Sequence, residues 1–180
     1  GDMTMFSFHA TKLFHTLEGG CLAFNNMELG EEINLLRNFG IKDEETVLRI
    51  GLNAKMNELQ CAIGIEMLKE AEAERERRRP LRSIYMELLS DVEGIECIRV
   101  PQGVSDSFQY MAVRVDQGQF GLSRDQLCSE LESFNIFARK YFYPLCADYP
   151  CYQNAMSDGL PNARHAVSQL MCLPFYGELG

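Results

Sequence analysis

The chain has 180 residues, enough for one domain or two small ones, and 46% of them are apolar, an ordinary share for a protein with a real core. A formal net charge of −9 argues against a general nucleic-acid binder, which needs a basic face, but leaves room for a local basic pocket that holds a diphosphate. No apolar run is long enough to span a bilayer and no secretory signal opens the chain; the seven cysteines lack a framework spacing and read as reduced thiols, so the expected location is the cytoplasm.

Met3 to Phe8 reads as a short strand. Lys12 follows, flanked by Phe6, Phe8, Leu13 and Phe14. A lysine in apolar sequence loses hydration, which favours the neutral amine and attack on a carbonyl. Leu13 to Gly20 is expected to be a loop and Cys21 to Phe24 a strand, ended by Asn25-Asn26. The Gly19-Gly20 pair implies either close backbone approach or a turn with positive φ. Glu28 to Phe39 has helical spacing, with Leu29, Ile33 and Leu36 on one face and Gly40 as a stop. Lys42 to Asn53 is irregular.

Asn57 is a good N-cap for a long helix, with Glu58 and Gln60 in its first turn and an apolar stripe at Leu59, Ile63 and Met67. The stretch EAEAERERRR, Glu70 to Arg79, alternates in sign, which favours a solvated face laced with weak ion pairs over a phosphate-binding patch. Pro80 allows a kink, and Leu81, Ile84, Tyr85, Leu88 and Leu89 restore an apolar face up to Gly94. Beyond Ile95, Glu96 to Val100 and Phe108 to Val115 alternate as strands. Ser123 caps a helix through Phe134 that buries Leu127 and Leu131. Ile136 to Tyr141 is expected as a third strand, Pro161 to Gln169 as a short helix and Leu170 to Leu173 as a last strand. The expectation is a small α/β domain. Cys146, Cys151, His165 and Cys172 do not have the spacing of a metal site, and no metal is expected. The usual glycine-rich phosphate loops are absent from the sequence.

SFHATK, Ser7 to Lys12, followed by EGG, Glu18 to Gly20, resembles the cofactor-lysine segment of the DegT/DnrJ/EryC1 family of pyridoxal-phosphate-dependent sugar aminotransferases. GLNAKMNELQCAIG (Gly51 to Gly64) is similar to that family's G-x-N-x-[RK]-M-x-E-L-Q-A-A-[IL]-G segment. ARKYFYPLC (Ala138 to Cys146) resembles its R-x-Y-F-x-P-L stretch, and CLPFYGEL (Cys172 to Leu179) its L-P-[LF]-Y segment. These matches follow in order at plausible spacing, and the resemblance covers nearly the whole chain.

The resemblance implies a fold-type-I aminotransferase, of which this chain would be the C-terminal part. Residues 1–56 would be a remnant of the large cofactor domain, 57–94 a connecting helix and 95–180 the small α/β domain. It implies that Lys12 forms a Schiff base with pyridoxal 5'-phosphate and later moves a proton. Ser7 would hydrogen-bond the cofactor phosphate. Asn53 would reach across a dimer interface to the neighbouring subunit's cofactor, so a homodimer is implied. His9 and Glu18 are candidates for contact with substrate or for support of the loop. Tyr141 and Tyr143 would border the substrate pocket, although the aromatics of RKYFYP read equally well as plain core. Arg139 and Lys140 are weaker candidates for a diphosphate.

The reaction so implied passes an amino group, from L-glutamate, to a nucleotide-linked keto sugar of the dTDP-4-keto-6-deoxyhexose type, in the synthesis of surface polysaccharide or antibiotic sugars. The chain alone is expected to be inactive, since the acidic partner of the pyridine nitrogen and the stacking ring have no counterpart in it. A non-catalytic assembly or regulatory domain of the same ancestry is the alternative. A dehydration, in which histidine usually replaces the lysine, is disfavoured by Lys12.

Overall fold

The computed structural model describes residues 1–152 and 159–179. They form two compact units, Gly1–Ala73 and Glu74–Gly180.

The first unit opens on an antiparallel hairpin. Strand β1 (Met3–Ser7) pairs with β2 (Gly20–Phe24), from Met3 opposite Phe24 to Ser7 opposite Gly20. Both strands are exposed along nearly their whole length. Helix α1 (Met27–Arg37) starts where the Asn26 side chain accepts the Glu28 amide at 2.9 Å. It ends at Arg37, and the turn that follows closes at Gly40, whose φ of +76° suits glycine and whose N–H donates to the Leu35 carbonyl at 2.7 Å. The irregular segment after it folds back on that helix end. Leu52 N–H donates to the Leu36 carbonyl at 2.7 Å and Ala54 N–H to the Arg37 carbonyl at 2.9 Å, so carbonyls left over at the end of α1 find partners.

Helix α2 (Glu58–Leu88) begins with reciprocal capping. The Asn57 side chain accepts the Gln60 amide at 2.9 Å, and the Gln60 side chain accepts the Asn57 amide at 3.2 Å. The apolar stripe is narrower than its spacing predicts, because Leu59 is 68% exposed while Ile63 and Met67 are half-buried. Helical residues continue on both sides of Pro80, and the helix closes at Leu88 rather than reaching Gly94.

The second unit is built on a three-stranded antiparallel sheet in the order β3 (Ile95–Cys97), β4 (Met111–Val115), β5 (Leu170–Leu173). Alternate residues of β4, Met111, Val113 and Val115, are fully buried. They pack with Phe108, Cys128, Met171 and Phe175, and Leu81 and Tyr85 of α2, with Leu89 just beyond its end, lie against them. Each such side chain contributes roughly 1.5–3 kcal/mol. A one-turn helix, α3 (Gln117–Phe120), capped by Asp116 and ended by Gly121 at φ +90°, was not expected from the sequence. Helix α4 (Arg124–Ser133) carries the Ser123–Gln126 capping box, and α5 (Pro161–Gln169) begins on a proline suited to a first helical turn.

The strand expected over Ile136 to Tyr141 does not form. Arg139 alone bridges Cys172, with hydrogen bonds of 2.9 and 2.7 Å, before the chain turns on itself through Tyr141 N–H to Arg139 O and Tyr143 N–H to Lys140 O. The first turn shares the Arg139 carbonyl with the Cys172 N–H and the second takes the Lys140 carbonyl, so the chain leaves the sheet after one bridge. The strand expected from Phe108 is shortened in the same way, since Phe108 has a φ of +52° and its amide donates to the Asp106 carboxylate at 2.8 Å.

The arginine-rich stretch is only partly a solvated face. Arg77 pairs with Glu74 and Arg79 with Glu76, and both arginines are half-exposed. Arg75, Arg78 and Arg82 instead donate to the carbonyls of Asp106 (3.0 Å), Phe108 (3.1 Å) and Tyr110 (3.2 Å). Arg82 also reaches the Ile98 carbonyl at 2.8 Å and the Asp106 carboxylate at 3.0 Å. Burial works against the charge of Glu74, yet hydrogen bonds from Arg78, the Gly177 amide and Arg77 hold its carboxyl below the usual carboxylate range.

Arg124 is 2% exposed and donates to the carbonyls of Val167 (3.0 Å) and Leu170 (2.6 Å) at the end of α5. Replacing it by methionine removes both donors and is expected to cost about 3 kcal/mol in chemical denaturation. Removal of the exposed Arg79 side chain is expected to cost about 0.5 kcal/mol or less.

Burial pushes the Cys172 thiol up from its ordinary 9.0 to about 11. The folded state therefore keeps a proton that the unfolded state loses. Stability from this group is complete below about pH 9 and is lost as pH rises towards about 11, by about 2–3 kcal/mol. The pH dependence of unfolding over that window should be shallower in Cys172→Ala.

Candidate active site

The loop joining β1 to β2, residues 8–19, carries most of the chemistry marked by the sequence. It is pinned at its base, where Phe8 N–H donates to the Gly19 carbonyl at 2.9 Å and Thr16 N–H to the Phe8 carbonyl at 3.0 Å. The Phe8 and Phe14 rings meet edge to face with centroids 4.8 Å apart. Thr16 is 1% exposed and its hydroxyl donates to the Glu18 carbonyl at 2.8 Å. Its methyl lies so near α2 that a Cβ on Gly64 would stand 2.8 Å from it.

The glycine pair serves close approach. A Cβ on Gly20 would stand 2.7 Å from the Phe6 carbonyl, and one on Gly19 would collide with the Thr16 hydroxyl and sit 2.8 Å from Met56 Cε.

Lys12 lies within this pinned loop. Its N–H donates to the His9 carbonyl at 2.9 Å, closing a turn, and its side chain is half-buried. Among the described residues no ion pair or hydrogen bond engages its ammonium. Ser7, the last residue of β1, is exposed; its oxygen accepts the His9 amide at a long 3.4 Å, which leaves the hydroxyl free to donate elsewhere. Ser7, Gly19, Gly20, Asn34, Arg37 and Met56 border a groove of about 750 Å³ that Lys12 does not line. His9 and Glu18 face each other, with Nε2 3.5 Å from Oε1.

Ser7, His9, Lys12 and Glu18 are thus gathered on one hairpin. Asn53 lies elsewhere in the first unit, exposed in the segment that folds back on α1, and it bridges Asn38. The Asn38 side chain in turn accepts from Lys55 Nζ at 3.0 Å.

Tyr141 and Tyr143 belong to the second unit. Tyr141 meets Tyr110 edge to face at 5.4 Å and stacks on Phe142 at 4.9 Å. Tyr143 is exposed and has the Arg124 guanidinium 5.2 Å from its ring centre. Lys140 lies 2.8 Å from the Asp125 carboxylate. Hydrogen bonding from Lys140, with further help from Arg124 and against the effect of burial, holds that carboxyl below its usual range. Arg139 serves the sheet through its backbone.

The donor set suits the cofactor implied by the sequence. A primary amine that is not ion-paired can meet an aldehyde, and a hydroxyl beside close-packed glycines can meet a phosphate. Thr16, Gly64 and Met56 support this loop and were not marked by the sequence. Gly64 does lie within the GLNAKMNELQCAIG segment, but nothing there announces Thr16 as its partner. Among the described residues, no three or more of histidine, cysteine, aspartate and glutamate gather as a metal site, and no helix is long and apolar enough to cross a membrane.

Comparison with known proteins gives a consistent result. The DegT/DnrJ/EryC1/StrS aminotransferase family matches residues 1–180. A dTDP-4-amino-4,6-dideoxy-D-glucose transaminase of Shigella dysenteriae is 40% identical, over 99% of this chain and 49% of the relative. An Escherichia coli protein of the same name is 36% identical, over 90% of this chain and 44% of its own length. Among solved structures, DesI in the presence of its TDP-sugar product superposes with a TM-score of 0.92 at 29% identity, covering 100% of this chain and 46% of that one. Helicobacter pylori PseC, an aminotransferase of pseudaminic acid biosynthesis, superposes at 0.88 with 26% identity, covering 100% and 49%. The chain therefore spans about half the length of the relatives it matches, and its α/β architecture corresponds to a portion of theirs. The chain belongs to the DegT/DnrJ/EryC1/StrS aminotransferase family.

Proposed function

We propose that this chain takes part in pyridoxal-phosphate-dependent transfer of an amino group to a nucleotide-linked keto sugar. The observation that carries the reading is half-buried Lys12, whose amine has no ion pair among the described residues, on a loop tied down at both ends. The relatives' names support the sugar class, a dTDP-linked 4-keto-6-deoxyhexose aminated at carbon 4.

When bound, the cofactor supplies the electron sink for breaking a C–H bond next to nitrogen. The protein supplies the rest. Lys12 would hold the cofactor, and its amine would move a proton at the substrate carbon. The Ser7 hydroxyl donates to the phosphate. Asn53 donates from its side-chain amide to the phosphate in a neighbouring subunit, so the working form is a homodimer. Tyr141 and Tyr143 border the sugar-nucleotide site, and L-glutamate is the donor. We assign residues 1–56 to the cofactor domain, 57–94 to the connecting segment that carries α2 (Glu58–Leu88) and 95–180 to the small domain. The enzyme acts in the cytoplasm, and the 180-residue chain alone does not turn over.

The complete protein carrying this chain should be incubated with pyridoxal phosphate, reduced with borohydride and digested for mass spectrometry. An adduct on Lys12 is expected. None on a folded protein would favour a non-catalytic assembly or regulatory role. Lys12→Ala is expected to abolish the adduct and lower kcat by roughly 10²–10⁴-fold. Asn53→Ala should weaken cofactor retention about tenfold, read as the Kd for pyridoxal phosphate.

A further inference from the structure

We propose that His9 is a positioning residue for Lys12, with its ring nitrogen Nδ1 and its main-chain carbonyl together shaping the turn that carries the lysine. The inference rests on the reading of Lys12 as the attachment point.

The carbonyl of His9 accepts the Lys12 N–H at 2.9 Å, three residues on. The ring of the same residue accepts the Thr11 N–H at Nδ1, at 3.3 Å, with the Thr11 hydroxyl 2.9 Å from the same nitrogen. A ring nitrogen that accepts a backbone N–H carries no hydrogen of its own. The ring hydrogen therefore stands on Nε2, which faces Glu18 at 3.5 Å. A side-chain acceptor reaching the N–H two residues ahead is the arrangement by which aspartate and asparagine stabilise tight turns. His9 plays that part here, and the turn it closes ends at Lys12.

The base of the loop is tied through Phe8, Thr16 and Gly19. His9 acts beside the reactive residue. Its pairing with Glu18 joins two exposed side chains and adds little. The contribution of His9 is therefore assigned to Nδ1.

This assignment separates two substitutions. The side-chain oxygen of asparagine can stand where Nδ1 stands, whereas the longer glutamine reaches towards the place of Nε2. In the complete protein, the rate at which pyridoxal phosphate is trapped on Lys12 can be followed by timed borohydride reduction and peptide mass spectrometry. His9→Ala and His9→Gln are expected to trap roughly tenfold more slowly than wild type. His9→Asn is expected to stay within about twofold. Amide exchange at Thr11 and Lys12 should quicken in His9→Ala and stay near wild type in His9→Asn.

Equal trapping by His9→Ala and wild type would overturn the proposal. So would rescue by glutamine but not asparagine, which would place the role at Nε2. If the alanine variant does not fold, the asparagine and glutamine variants decide between them. If wild type traps nothing on Lys12, the proposed function fails, while amide exchange still reports whether His9 holds the turn.

Discussion

The lysine-bearing loop depends on one small side chain packed without slack. Thr16 has almost no exposed surface, and it is crowded by two glycines that admit no Cβ, Gly64 from α2 and Gly19 from the loop's own end. Its hydroxyl and its amide both stay within the loop, on the carbonyls of Glu18 and Phe8. A buried polar group is tolerated only when so satisfied. Thr16 therefore joins the loop's internal hydrogen bonding to its packing on α2. Lys12, four residues earlier, inherits a defined backbone without being buried itself.

The second unit solves a different problem, the carbonyl groups that short strands and helix ends leave over. Its three strands are brief, so much backbone falls outside the sheet. Arginines meet the need. Arg75, Arg78 and Arg82 serve the segment from Asp106 to Tyr110, and Arg124 serves the end of α5. The guanidinium suits this work because its several donors can bridge carbonyls that lie apart.

Features governed by neighbours in sequence were legible in it. Asn57 and Ser123 act as the caps their sequence predicts, because capping joins residues a few positions apart, whereas Asn26, which reads only as the end of a strand, also caps α1. The hairpin strands, α1 with its glycine stop and the last strand also follow local patterns. Features governed by distant partners were not. The arginine run read as a solvated face because the carbonyls it serves come some thirty residues later. Ile136 to Tyr141 reads as a third strand, yet only Arg139 finds a bridge. In the candidate site, Lys12 and its loop could be marked from the motif, whereas the acceptor role of His9 Nδ1 required the folded turn.

The exposed hairpin has a colloidal consequence. Met5 is 79% exposed, Phe6 48% and Leu22 41%, on two strands that pair only with each other. In the 180-residue chain taken alone, such a ribbon offers apolar side chains and an unpaired edge to any strand it meets. The opposing force is long-range repulsion from the net charge of −9. That repulsion vanishes near the isoelectric point of about 4.9 and is screened by salt. For the 180-residue chain handled by itself, mildly acidic or high-salt buffers should therefore turn the hairpin that presents Ser7 and Lys12 into the surface through which copies stick together.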